Sequence, residues 1–330
     1  MTPPPTPNEW KRFVLIGLPL AGILLFFLAE GMGRALEDVP LRRHDADKTA
    51  VALEHGLLTA RTAIIGDSVT QDILKTYRIG APGQVINLTT NQASGLVGAM
   101  FFVKRYLKDG ARPLEQVLIA ATPEFFSYEP EGKTAELYVT SVFEKEEEKR
   151  WIAERLPKLV LKNRWGAILE PEERIGYRLL ALMMPRPERP HEGETSLKPE
   201  MAVEETPTSE RARKDIAHRR TMRLGLSPSA RAALNDLCAL GKHQGFGLAF
   251  LRAPIPASVL EAWEKDGKTA RFEAALKTAC PAMTIKSATQ SGGESDGNAF
   301  PDKAFRDADH LRRPGWTNHY ALILQQFINR

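Results

Sequence analysis

The chain has 330 residues, of which 43% are hydrophobic and 26% are charged, and its net charge is +4 at pH 7. This length and composition suffice for one large hydrophobic core or two smaller ones. The charges are spread along the chain, without a basic stripe or a nucleic-acid-reading motif. We therefore expect a solvated charged surface and no nucleic-acid partner.

Cysteine usage argues against a metal site. The two cysteines, Cys238 and Cys280, form neither a CxxC pair nor a Cys/His cluster, so we expect no metal site and no cofactor. If the domain is exported, the two can form one disulfide. The alternative is two buried thiols, and this is the state that we expect.

An uncharged apolar run extends from Phe13 to Ala29 and continues weakly to Gly33. A helix needs about 20 apolar residues to span the hydrocarbon, and only a helix satisfies its own backbone there. We therefore predict a transmembrane helix over 13–33. Lys11 and Arg12 precede it, which predicts a disordered cytoplasmic tail over 1–12 and an outward-facing remainder.

Two features of this region oppose that interpretation. Arg34, Arg42 and Arg43 lie on the far side of the run, and a cleaved signal peptide is the competing assignment. No clean A-x-A cleavage site follows, however, and the run is long for a signal. We therefore expect an uncleaved single-pass anchor, with the C-terminal domain on the extracytoplasmic side of the membrane.

Short apolar runs then alternate with segments of helical length, as in a parallel sheet with crossover helices. The predicted elements are a helix over 45–58, strands over 62–66, 84–88 and 115–121, and a helix over 93–108. The pattern stops near residue 129.

From 129 to 225 the chain is rich in charge and shows no clear strand. Helices are predicted over 144–161 and 172–184. Residues 185–210 are rich in Pro, Glu, Ser and Thr, which predicts a mobile loop. We interpret 129–225 as a helical, partly disordered insertion in one α/β domain that comprises 45–128 and 226–330.

The α/β pattern resumes with a helix that Ser227 can cap. The remaining predictions are helices over 228–243, 257–279 and 316–328, strands over 246–252 and 282–286, and a polar loop over 288–299. The fold class is therefore α/β, with a doubly wound, mainly parallel five-stranded sheet. In such sheets, sites form at the carboxyl ends of the strands.

Gly66, Asp67 and Ser68 follow the first predicted strand and precede a helix. This places a serine hydroxyl at a carboxyl strand end and at a helix N-terminus, where backbone amides and the helix dipole stabilise negative charge. An oxyanion formed by attack of Ser68 on an acyl carbonyl would gain from both. A turn with a helix cap is the structural alternative.

His310 is the candidate base among seven histidines, because it follows the last strand and precedes the final helix. Asp307, three residues earlier, can hydrogen-bond the ring and orient it toward a serine. Asp309 is a second candidate for the orienting acid. The structural alternative for His310 is an ordinary surface loop residue.

The pairing of a GDS motif after a buried strand with a DxxH motif before the last helix resembles the SGNH/GDSL hydrolase family. The matching segments are 64–70 (IIGDSVT) and 307–315 (DADHLRRPG), and 87–95 (NLTTNQASG) is similar to the family's second block. The resemblance covers 60–128 and 227–330. It implies an SGNH-type, flavodoxin-like sheet.

The resemblance also implies roles for individual residues. Ser68 would be the nucleophile, His310 the base and Asp307 the orienting acid, with the amides of Ser68 and Gly95 as oxyanion donors. The family's third block usually holds G-x-N-D, whose asparagine completes the oxyanion hole, whereas this chain has ATPEFF over 121–126. The candidate substitute donors are Thr122 and Asn91.

This variant is similar to membrane-anchored SGNH-like proteins of cell-envelope assembly, including those related to polysaccharide O-acetylation and the teichoic-acid D-alanylation protein. The resemblance implies an O-acetyltransferase or acetylesterase that works through an acyl-serine intermediate. The implied partners are an acylated carbohydrate or envelope polymer, the inner membrane through 13–33, and a membrane-bound acyl-donor protein. The alternative is a non-catalytic SGNH-like envelope scaffold or partner-binding protein, which the missing asparagine favours.

Overall fold

Five parallel strands form the centre of the fold in the computed structural model of the protein, in the spatial order β2-β1-β3-β4-β6. A separate parallel pair joins β5 to β7. The strands are β1 (Thr62–Gly66), β2 (Val85–Asn87), β3 (Gln116–Ala121), β4 (Gly247–Arg252), β5 (Ile255–Pro256), β6 (Thr284–Lys286) and β7 (Ala299–Phe300). The predicted parallel five-stranded sheet is therefore confirmed.

The structure describes most of the chain. The described residues are 6–36, 39, 45–55, 59–89, 94–109, 113–132, 135, 139, 142–143, 145–159, 175–184, 192–199, 201–203, 208–286 and 299–329. The predicted polar loop over 288–299 lies outside them, except that Ala299 begins β7.

The described helices agree with most of the predicted ones. They are α1 (Pro7–Ala35), α2 (Asp45–His55), α3 (Ser68–Thr76), α4 (Gly95–Asp109), α5 (Glu124–Ser127), α6 (Glu146–Arg155), α7 (Tyr177–Met183), α8 (Glu210–Thr221), α9 (Pro228–Gln244), α10 (Ala257–Lys265), α11 (Lys268–Ala279) and α12 (Gly315–Ile328). The single helix predicted over 257–279 is two helices, because the chain turns at Gly267, whose φ is +64°.

The sheet buries both of its faces, as strands covered by helices on two sides must. Along β3, Val117 and Ile119 pack into one core while Leu118 and Ala120 pack into the other. Helices α4, α9 and α11 contribute to the first core, and α3, α10 and α12 to the second. The alternation follows from the two-residue period of a strand and makes the sheet doubly wound.

Helix α1 is long and apolar enough to cross a membrane, and the most apolar part of it is not buried against the protein. Its bounds, Pro7–Ala35, include the whole of the predicted transmembrane segment over 13–33.

Part of the predicted mobile loop over 185–210 packs against the domain. The amide of Gly193 donates to the carbonyl of Leu74 at 2.7 Å, and the amide of Thr195 donates to that of Thr76 at 3.0 Å. A Cβ on Gly193 would lie 2.3 Å from the amide nitrogen of Tyr77, so glycine permits this close approach. Residues 192–199 of the predicted mobile loop are therefore hydrogen-bonded to the domain, and the mobility of the loop stays a prediction.

Cys238 and Cys280 form a disulfide, with their Cα atoms 5.6 Å apart. The expectation of two thiols is therefore wrong. The bond joins α9 to the residue that follows α11, two neighbouring helices on one face of the sheet. Sequence spacing did not reveal this proximity, because it arises from the packing of the two helices.

Candidate active site

The candidate site lies where the strand order of the sheet reverses. The chain runs from β1 outward to β2 and then returns past β1 to β3, so the carboxyl ends of β1 and β3 border the switch point. Ser68 follows β1 after one residue and begins α3, whereas Thr122 follows β3 directly. Open α/β sheets bind their ligands at this position.

Gly66 allows the two strands to approach closely at this point. A Cβ on Gly66 would lie 1.9 Å from the carbonyl oxygen of Ala120 in β3. That separation is far below any real contact, so no side chain fits here without moving a strand. The glycine before Ser68 therefore brings the end of β1 against the end of β3.

Asp67 is buried and joins the two strand ends. Its Oδ1 caps α3 by accepting from the amides of Val69 and Thr70 at 3.1 and 3.4 Å. Its Oδ2 accepts from both the amide and the hydroxyl of Thr122 at 2.8 Å. Burial raises the pKa of Asp67 to about 6, and the charge of Asp309 contributes to the increase.

These bonds bear on the predicted oxyanion donors. Both donors of Thr122 are directed to Asp67, so in this structure Thr122 holds the cap of α3, and this arrangement does not support an oxyanion role for it. The cap uses the amides of Val69 and Thr70 and not that of Ser68. Asn91 lies outside the described residues.

Gly95 begins α4, the helix that follows β2. Because β2 lies beside β1 and parallel to it, the segment after β2 starts at the same edge of the sheet as Ser68. Gly95 has a φ of +53°, a left-handed conformation that favours glycine. Its role as an oxyanion donor stays a prediction.

Two carboxylates approach one nitrogen of the His310 ring. Nδ1 lies 3.1 Å from Asp307 Oδ1 and 3.0 Å from Asp309 Oδ1. Asp307 Oδ1 also accepts from the backbone amides of Asp309 and His310, at 3.1 and 2.8 Å. Asp307 thus organises the loop as well as the ring, and both predicted orienting acids contact Nδ1. The other ring nitrogen, Nε2, is the one left to exchange a proton with a serine.

The electrostatics of this cluster favour a charged imidazole. The hydrogen bonds that the ring makes to the carboxylates of Asp307 and, to a lesser extent, Asp309 raise the pKa of His310 to about 10. Burial alone would raise the pKa of Asp307, but its hydrogen bonds to His310 and to the amide of Asp309 outweigh burial and hold that pKa well below 3.8. The ring is therefore held as imidazolium at neutral pH.

The loop that carries His310 packs against the first turns of α3. Arg313 on one side of His310 binds the carboxylate of Asp72, and Arg306 on the other side has its Nη2 3.8 Å from Asp72 Oδ2. Asp72 lies one helical turn after Ser68, on the same face. These contacts bring the DxxH segment to the end of α3 that Ser68 begins.

Ser68 is partly exposed, and its Oγ makes no hydrogen bond to His310 or to any other residue that the structure describes. Catalytic hydrogen bonds are often long in unliganded structures and shorten when substrate binds. The structure thus brings the predicted nucleophile and base to one edge of the sheet without joining them.

Arg219, in the insertion, contacts the candidate site, although nothing in the sequence distinguished it from the other basic residues nearby. It is buried, and its Nε donates to Glu124 Oε1 at 2.6 Å while its Nη1 donates to the carbonyl of Ala308 at 2.6 Å. The indole of Trp263 packs against the guanidinium and donates to the backbone carbonyl of Arg219. Arg219 therefore links the segment after β3 to the loop that carries His310.

The charge of Arg219 is maintained despite burial. Burial would lower the pKa of this guanidinium, but the charge and hydrogen bond of Glu124, together with Asp309 and Asp67, raise it overall. Glu124 lies in the segment 121–126, which we compared with the third block of the SGNH family. In this chain that region supports a buried ion pair.

Asp307, Asp309 and His310 also present donor atoms that all lie within 4.8 Å of one another. These are ligand types that bind divalent cations. The cluster would offer at most three protein ligands and is partly exposed. The expectation that the site uses no metal stays a prediction.

We compared the chain with known proteins and found no relative. No protein-family model matches the chain, and no curated protein or solved structure matches it either. The resemblance to SGNH hydrolases therefore rests on the sequence motifs alone and stays a prediction.

Replacing Asp67 with alanine is expected to lower the free energy of unfolding by about 3 kcal/mol, because four donors lose their acceptor and α3 loses its cap. Denaturant unfolding of the full-length protein in detergent measures the change. Because the pKa of Asp67 is raised in the folded state, its contribution to stability falls as pH rises from 3.8 to about 6, and the variant should lack that contribution. An unfolding midpoint equal to that of wild type would contradict this account.

The pH dependence of turnover should reveal the pKa of His310. With a pKa of about 10, on the order of one imidazole in a thousand is neutral at pH 7, so kcat/KM should rise with pH toward about 10. Asp309→Asn removes one anion from Nδ1, so the rising limb should move to lower pH and the rate at pH 7 should increase severalfold. Asp266→Asn, at an exposed turn, is the matched control.

If the rising limb of the wild-type pH–rate profile were centred near 6.5 and unchanged by Asp309→Asn, these carboxylates would not control the base.

The raised pKa of His310 should also appear in the pH dependence of stability. Because the pKa of His310 is raised above 6.5 in the folded state, its contribution to stability is complete below 6.5 and is lost as the pH rises through about 10.

Proposed function

We propose that the protein is an SGNH-like serine acyltransferase or acetylesterase that acts on a carbohydrate of the cell envelope. The observation that carries the proposal is the contact of the His310 loop, through Arg306 and Arg313, with Asp72, which lies one turn after Ser68 in the helix that Ser68 begins. A serine at a helix N-terminus, a histidine and a carboxylate on Nδ1 are the parts of a hydrolase triad. In the proposed enzyme they act together at the switch point of the sheet, where open α/β sheets bind their ligands.

In the proposed reaction, Ser68 Oγ attacks the acyl carbonyl and its proton passes to Nε2 of His310. The oxyanion is stabilised by the Ser68 amide at the start of α3, with Gly95 as the second donor. Collapse of this intermediate breaks the bond to the leaving oxygen, which takes the proton from His310, and leaves Ser68 acylated. Water or a sugar hydroxyl then attacks the acyl group while His310 accepts its proton; the ester bond to Ser68 Oγ breaks, and His310 returns the proton to Oγ.

The charge on His310 sets a condition for this mechanism. Only the neutral imidazole accepts a proton from Ser68, and the two carboxylates oppose that form. The same carboxylates stabilise the imidazolium that forms in the transition state. A substrate that displaces Asp309 from Nδ1 would lower the pKa and release the base.

Two features support an exported, membrane-anchored protein. Helix α1 is long and apolar enough to cross a bilayer, and Cys238 and Cys280 are joined in a disulfide, which persists mainly in oxidising compartments. We therefore propose an inner-membrane protein with its α/β domain on the periplasmic side. The proposed partners are an envelope or exopolysaccharide acceptor and a membrane-bound acyl donor.

The second candidate function is a non-catalytic SGNH-like scaffold. Specific observations favour it: the third block has no asparagine, Thr122 donates to Asp67, and Ser68 makes no hydrogen bond to His310. Loss of one oxyanion donor costs roughly 3 kcal/mol in other enzymes. A scaffold of this kind would keep the fold and the loop contacts while turning over no ester.

The test uses full-length protein in detergent with an aryl acetate as acyl donor, with and without an oligosaccharide acceptor. A transferase should release the aryl alcohol and form acetylated sugar in preference to acetate, whereas an esterase should not respond to the sugar. Mass spectrometry should find an acetyl group on Ser68 during turnover. Turnover equal to that of Ser68→Ala, with no acetylated peptide, would favour the scaffold.

A further inference from the structure

Helix α7 in the insertion exposes its apolar side chains and buries its polar one. Arg178 and Ala181 are buried, whereas Leu182 and Met183 are 59% and 76% exposed. The other exposed members of this face are Leu179, Leu180 and Met184. A surface helix of a water-soluble domain normally has the opposite arrangement. An exposed contiguous apolar face indicates a surface that is covered in the working protein.

Arg178 fastens this helix to the end of α1. Its Nη1 donates to the carbonyl of Leu36 at 3.0 Å and to that of Val39 at 2.8 Å. The last carbonyls of a helix lack partners within it, and a cation is favoured there by the helix dipole. The buried guanidinium therefore holds α7 at the point where the chain leaves α1.

The position of this contact along α1 sets its depth relative to a bilayer. Glu30 is the first charged residue after the apolar run, and Leu36 lies about 9 Å further along the helix at 1.5 Å per residue. The headgroup region adds roughly 5 to 8 Å on each side of the hydrocarbon. A helix fastened at Leu36 therefore lies at the outer edge of the headgroup layer, and because a helix with its side chains is about 10 Å across, its side chains can reach into that layer.

We propose that α7 is a second membrane contact, whose apolar face inserts into the leaflet from which α1 emerges. The inference rests on α1 being a membrane anchor and is independent of the chemistry of Ser68. The lipid bilayer is the occupant that the geometry favours, because α1 tethers α7 covalently beside it. Interfacial helices insert an apolar face in this manner and lie in the plane of the membrane.

This contact would set the orientation of the catalytic domain on the membrane. A single helix and a short connection leave a domain free to tilt, whereas two contacts fix one side of it toward the lipid. Because the same insertion carries Arg219, which donates to the His310 loop, the membrane contact and the candidate site belong to one insertion.

Fluorescence quenching tests the proposal in the full-length protein. Both native cysteines are in the disulfide, so a cysteine introduced at Leu182 supplies a thiol for an NBD label. The labelled protein is reconstituted into vesicles of phosphatidylethanolamine and phosphatidylglycerol that contain doxyl-labelled lipid. Leu180→Cys repeats the measurement, Leu24→Cys marks the middle of α1, and Glu261→Cys marks an exposed position on α10.

We expect the labels at Leu182 and Leu180 to be quenched severalfold more than the label at Glu261, and to approach the label at Leu24. Quenching at Leu24 alone would overturn the contact of α7 and leave the anchor in place. A Leu182 label that is shielded from aqueous iodide but not quenched by lipid would show that a protein surface covers α7, which also overturns the proposal. Loss of quenching at Leu24 as well would overturn the anchor with it.

Discussion

Ser68→Ala is expected to reduce kcat/KM for acetyl-ester turnover by about ten-thousand-fold or more, to the level of the background reaction. The loss is large because the proposed acyl-enzyme cannot form without Ser68 Oγ. The side chain is partly exposed and makes no hydrogen bond to any described residue, so its removal should leave the fold intact. Steady-state turnover of purified full-length protein measures the effect.

Thr278→Ala is the matched control for removal of a hydroxyl. Its Oγ1 donates to the carbonyl of Ala274 in its own helix, α11, and Thr278 is exposed. We expect wild-type turnover from this variant and wild-type unfolding from both. A Ser68→Ala rate within twofold of the control would remove Ser68 from the mechanism.

Arg219→Met is expected to lower the free energy of unfolding by about 3 to 5 kcal/mol, the usual cost of leaving one partner of a buried ion pair uncompensated. Glu124 would lose the guanidinium that contacts its Oε1, and its Oε2 is already buried without a hydrogen bond to a described residue. The loop carbonyl of Ala308 would also lose its donor. Chemical denaturation measures the loss of stability, and turnover of the folded fraction measures the effect of losing the donor to Ala308.

A second substitution separates the ion pair from the loop contact. Glu124→Leu combined with Arg219→Met removes both charges, so stability should recover toward that of wild type, since apolar replacement of a buried pair is often neutral. Turnover should not recover, because Ala308 still lacks its donor. If turnover recovered along with stability, Arg219 would be a purely structural residue.

The centre of the fold was accessible to sequence reasoning because its signals are local. Strand β1 has the predicted bounds, 62–66, since a short apolar run that ends in glycine suits a buried strand. Ser227 caps α9 by accepting from the amide of Ala230, as its position predicted. The location of Ser68 at a strand end follows from the bounds of β1.

The rest depends on contacts between distant segments. Arg219 lies in a run with several other basic residues, and only tertiary packing distinguishes it from the solvated ones. The parallel pair β5 and β7 escaped prediction because strands of two residues carry no periodicity. Thr122 was one of two candidate oxyanion donors, but its amide and hydroxyl donate to Asp67, which lies across the strand ends.

Reaction of the full-length protein with a fluorophosphonate, followed by peptide mass spectrometry, tests most directly whether Ser68 and His310 work together. We expect the label on Ser68, with a rate that increases with pH toward about 10 and falls sharply in His310→Ala. Absence of label on Ser68, or equal labelling in wild type and His310→Ala, would contradict the account.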